Sequence, residues 1–115
     1  MNVHVIVCQL VLTAENERRF RTALAPLGHH VTFRKLVVAD GGGAAYEAHA
    51  AKLSAKHGSV WAGLRAEYGP VDGRAVDVWI IWSWSAGYGL LRALLREGIP
   101  AELAGHATVM EWPLP

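Results

Sequence analysis

Cysteine is nearly absent: Cys8 is the only one in 115 residues, so no internal disulfide can staple the chain and its core must form by packing alone. Within "VHVIVCQLV" that thiol reads as a small buried apolar side chain. No run of Lys and Arg exists either. The 11 basic residues are scattered and nearly balanced by 10 acidic ones, for a formal net charge of +1. That balance offers no electrostatic footprint for a phosphate backbone and argues against a nucleic-acid partner. Long apolar runs are missing too. The longest, "VWIIW", falls far short of the ~20 residues that span a bilayer, and the first residues lack the charged lead, apolar stretch and small-residue cleavage pattern of an export signal. A cytoplasmic protein without a membrane partner is therefore expected. The His, Cys, Asp and Glu residues show no zinc spacing, His49 and His57 are not an i, i+4 pair, and no glycine loop ends in G-K-[ST]. No metal and no cofactor are expected.

What the chain does have is apolar and aromatic mass, with 52% hydrophobic residues and 5 Trp. At this length a single domain, residues 1–115, is expected, and the excess of large apolar side chains predicts an aromatic core or a covering partner, as in a homo-oligomer or a larger assembly. Two periods alternate along it. "VHVIVCQLVL" is a β-branched strand. "TAENERRFRTALAPLG" is a helix capped by Thr13, with Phe20, Leu24 and Leu27 near one face. "HVTFRKLVVAD" is a second strand, interrupted by Arg34 and Lys35 as an edge strand allows. Between Ala44 and Tyr68, Tyr46, Ala50, Leu53 and His57 share one helical face and Trp61, Leu64 and Tyr68 repeat it beyond Gly58, which fits one long helix or two short ones. "AVDVWIIWSW" is the strongest strand. The next helix has Leu90, Leu91, Leu94 and Leu95 as its apolar face and Gly98 as its stop, and "ATVMEWPLP" is a fourth strand ended by proline. This alternation predicts an α/β fold: a small open, mostly parallel sheet of about four strands with helices on both faces. Right-handed crossovers place every strand-to-helix turn at one end of such a sheet, where open α/β sheets bind ligands.

One of those turns carries chemistry. After the apolar strand, "SWSAGYG" turns into a helix through Ser85, Ala86 and Gly87. A serine at such a corner projects its hydroxyl at the rim of the sheet, and the unpaired N–H of Ala86 can face an oxyanion. "IIWSWSAGYG" resembles the nucleophile elbow of the α/β-hydrolase family, with Ser83 where the family's first glycine stands and Gly87 at the second. The resemblance covers Ala75 to Gly98. It implies Ser85 as nucleophile and Ala86 as oxyanion donor, in a serine esterase acting on a small acyl or ester substrate. "DGGG", Asp40 to Gly43, is similar to the family's glycine-rich oxyanion loop, which implies Gly42 and Gly43 as further donors. His106 is the one histidine downstream of Ser85 and the within-chain candidate for the general base, with Glu102 or Glu111 to orient it.

The short segment 86–115, which contains no Asp, points to a reduced or incomplete hydrolase-like fold needing a partner chain to complete its site. Two other readings stand beside it. One is a non-catalytic structural or interaction module with a hydrolase-like half-sheet. The other is anion or nucleotide binding at the Gly41–Gly43 loop, before a helix N-terminus.

Overall fold

A computed structural model describes residues 1–8, 13–26, 30–38, 43–83 and 88–111. The elements in chain order are β1 (Asn2–Cys8), α1 (Ala14–Leu24), β2 (His30–Lys35), α2 (Gly43–His57), α3 (Val60–Glu67), β3 (Val78–Ser83), α4 (Tyr88–Glu97), a 3₁₀ turn (Ala101–Leu103) and β4 (Ala107–Glu111). The four strands form one parallel sheet in the order β2-β1-β3-β4. The expected fold class is the one observed.

Crossover handedness explains which helix covers which face. The chain steps from β1 outward to β2 and then passes back across β1 to β3 and on to β4. Because parallel crossovers are right-handed, reversing the direction of travel moves the helix to the opposite face. α1 accordingly packs alone on one face, where Phe20 and Leu24 join Val3, Val5, Val7, Val31, Ile80 and Trp82. α2, α3 and α4 cover the other, where Tyr46, Leu53, Trp61, Leu64, Leu90 and Leu94 close over Ile6, Cys8 and Ile81. Both parities of β1 and β3 are thus buried, which is why these strands read as nearly continuous apolar runs. Phe20 meets Trp82 edge-on, placing two of the chain's largest rings inside the smaller core.

Thr13 caps α1, its hydroxyl accepting from Asn16 N at 3.1 Å. The crossover is two helices. Gly58, at φ +92°, turns the chain between them and Ser59 caps the second. Tyr46, Ala50, Leu53, Trp61 and Leu64 are buried as the spacing predicts. Leu95 departs from expectation: it is 66% exposed while Leu90, Leu91 and Leu94 are buried. At 100° per residue it lies a further step around the helix from Leu94, beyond the stripe facing α2 and the sheet.

α2 and α3 approach so closely that a Cβ placed on Gly63 would lie 2.6 Å from Leu53 Cβ. Two backbone-anchored atoms cannot yield as a flexible side-chain end can. Gly63→Ala is therefore expected to cost about 1–2 kcal/mol, overpacking outweighing the gain in helix propensity. Urea denaturation checks this, and an unchanged midpoint would contradict it.

Candidate functional site at the carboxyl rim

Because all four strands are parallel, the sheet has an amino rim where strands begin and a carboxyl rim where they end. Cys8 and Ser83 are register partners at the carboxyl rim, 0% and 1% exposed. They mark the point where the chain's direction of travel reverses, with β1 leading to one side of the sheet and β3 to the other, the position at which open α/β sheets hold ligands. α1, α2 and α4 all start from this rim. Glu15 and Glu17 lie in the first turn of α1, whereas the first turns of α2 and α4 carry no acid.

Ser85, Ala86 and Gly87 lie outside the described residues, between Ser83 at the end of β3 and Tyr88 at the start of α4. Asp40, Gly41 and Gly42 also lie outside them, and Gly43 is the first residue of α2. Cys8 is no alternative nucleophile. Burial pushes its thiol up to about 12, so it stays protonated at neutral pH.

His106 is at the other end. It precedes β4, its carbonyl accepts from Trp79 N and its N–H donates to Leu103 O, both at 2.8 Å, and its side chain is exposed. The register runs from Trp79 beside Ala107 to Ser83 beside Glu111, so about 13 Å of strand separates the level of His106 from the carboxyl rim. Glu102 is also remote from the rim, in the 3₁₀ turn, with Arg65 Nη2 at 3.3 Å. Glu111 is level with Ser83 in the register.

His4, His49 and His57 are occupied by structural work that sequence reasoning did not find. Three consecutive residues at the end of α3, Glu67 to Gly69, are held by side chains from three elements. His57 Nε2 contacts Glu67 Oε2 at 2.6 Å, and His49 Nε2 contacts the Tyr68 hydroxyl at 2.9 Å. His4 Nε2 lies 2.7 Å from the Tyr68 carbonyl, and Arg34 Nη1 donates to the Gly69 carbonyl at 2.9 Å. The bond from His57, reinforced by the charge of Lys56, holds the Glu67 carboxyl below its ordinary value.

His4 is the interior member of this clamp, 0% exposed and edge-on to Trp79. A carbonyl only accepts, so Nε2 carries the proton, and Nδ1, 2.7 Å from Thr32 Oγ1, accepts from that hydroxyl. Burial holds the imidazole below its ordinary value of 6.5, against the opposing pull of the Tyr68 carbonyl. His30 begins β2, again at the amino rim. No described histidine serves the carboxyl rim.

Among the described residues no group of three or more His, Cys, Asp or Glu could hold a metal ion, and no helix is long and apolar enough to cross a membrane. The architecture, a parallel four-stranded sheet with helices on both faces, is compatible with hydrolase-like folds in general. Compared with known protein families, with curated proteins and with solved structures, the chain matches none.

Proposed function

We propose that this chain is a serine-dependent acyl or ester hydrolase whose nucleophile is Ser85 and whose general base comes from a partner chain. The strand order carries the reading. It sets the end of β3 beside the end of β1 at the direction reversal, the position at which open α/β sheets hold ligands, and the residues that follow Ser83 in sequence are "WSAG". In this mechanism the Ser85 oxygen attacks the carbonyl carbon as the base takes the hydroxyl proton. The tetrahedral oxyanion is held by the Ala86 N–H and by donors from the loop containing Gly42 and Gly43. The alcohol leaves with the proton returned by the base, and water releases the acid by the reverse sequence.

The base is assigned to a partner because the described histidines all lie toward the amino rim or in the α3 clamp. The same observation favours a second reading, a non-catalytic interaction module. Turnover of p-nitrophenyl butyrate by the protein in its native assembly separates the two. The hydrolase reading requires turnover that disappears in Ser85→Ala at unchanged assembly state. Equal rates in the two proteins leave the interaction module.

A further inference from the structure

β2 is an edge strand, and its free side is shaped to be paired. Leu36 N donates to Val7 O at 2.8 Å, so by alternation the backbone of Thr32 and Arg34 faces β1 while that of Val31, Phe33 and Lys35 faces outward. A groove of about 570 Å³ follows this edge, lined by the whole of β2 together with Glu17 and Arg21 of α1 and, beyond Gly69, Val71 and Asp72. Arg21 marks one end of the available backbone. Its Nη1 donates to the outward carbonyl of Val31 at 2.9 Å and its guanidinium sits 5.0 Å from the centre of the Phe33 ring. Phe33 and Lys35 remain as outward pairs of N–H and C=O.

The charge in the groove is unbalanced in one direction. Its two acids already have cations: Glu17 pairs with Arg21 at 2.9 Å, and Asp72 accepts from Arg74 N at 3.0 Å and Arg74 Nε at 3.4 Å. Among the described residues Arg34 has only the neutral Gly69 carbonyl as a hydrogen-bond partner and Lys35 has no carboxylate partner. Consecutive strand residues point to opposite faces, so a strand added here meets Arg34 on one face and Lys35 on the other. Carboxylates at two consecutive positions match both.

We infer that the β2 edge binds an extended segment of another protein as an added strand, hydrogen-bonded to Phe33 and Lys35 and carrying two consecutive acidic residues opposite Arg34 and Lys35. A second copy docking strand to strand does not supply them. Neither edge strand of this chain, "HVTFRK" or "ATVME", contains two adjacent acids. This mode draws affinity from main-chain hydrogen bonds and selectivity from side chains on both faces.

The probe is a fluorescein-labelled peptide, Val-Thr-Glu-Glu-Val-Thr, followed by anisotropy against the intact chain. Saturable binding is expected, weakened at least about tenfold by the double change Arg34→Ala with Lys35→Ala, since both charges face the ligand's carboxylates. The same peptide N-methylated at alternate amides, and a Lys-Lys counterpart, should not bind. The inference is overturned by any of four results: no saturation up to about 1 mM, equal binding of the Lys-Lys peptide, indifference to N-methylation, or a self-association through β2 that the acidic peptide does not compete away.

Discussion

Replacing His4 by alanine is expected to destabilise the fold by about 3–5 kcal/mol, because the change empties a ring-sized volume in the core and leaves the Tyr68 carbonyl and Thr32 hydroxyl without their partner. The loss reaches beyond β1, since the Tyr68 carbonyl is one of four points at which the end of α3 is held to the sheet and to α2. Chemical denaturation of His4→Ala against the parent measures it, and a cost under about 1 kcal/mol would mean that the clamp is incidental. His4→Phe separates volume from hydrogen bonding, since it keeps an aromatic ring and loses both bonds. The imidazole also gives the fold a defined acid sensitivity. Its value is lowered in the folded state, so between that value and 6.5 the unfolded chain binds more protons than the folded one. The stability it contributes is complete above pH 6.5 and declines as the pH falls through 6.5 toward the folded value. Protonation would oblige Nδ1 to donate to Thr32 Oγ1, turning that hydroxyl toward the Val3 carbonyl 3.5 Å away, a poorer acceptor position. Glu67 and Asp72, whose values are also lowered, act at more acidic pH, from 4.5 and 3.8 downward. His4→Phe should therefore flatten the stability profile just below pH 6.5 and leave the steeper acid limb in place.

Ser85→Ala is expected to abolish ester turnover while leaving folding nearly unchanged, because the change removes a single hydroxyl. His106→Ala is expected to leave turnover unchanged, since His106 stands at the amino rim. A missing base can be replaced from solution. Added imidazole should accelerate turnover by the isolated parent protein by at least about tenfold over its effect on the uncatalysed ester, and should give no such excess with Ser85→Ala. Loss of activity in a folded His106→Ala protein would instead return the base to this chain.

The alternation of β-branched runs with 3.6-period stretches was enough to read the order and type of the elements, because local pattern decides them, while the helical crossover between β2 and β3 stayed open as one helix or two. The stop at Gly98 was legible for the same reason and the break at Gly58 was one of the two alternatives, their φ of +79° and +92° being conformations that only glycine takes cheaply. Partnerships distant in sequence were not. Glu97 of α4 accepts from Val60 N at 2.7 Å and Trp61 N at 3.2 Å, capping a helix that begins 37 residues earlier. Nothing near Val60 announces it. The His4 and Arg34 contacts to the end of α3 are of the same kind. His106 is different, since its placement was in the sequence all along. It precedes β4, and in a parallel sheet the start of a strand lies at the rim opposite the ends of β1 and β3.

The most direct test of the proposed site is to react the assembled protein with a fluorophosphonate and map the adduct by tandem mass spectrometry. The account predicts a single modified residue, Ser85, in the peptide that joins β3 to α4. An adduct on another serine, or none in protein whose fold and assembly are intact, would contradict it.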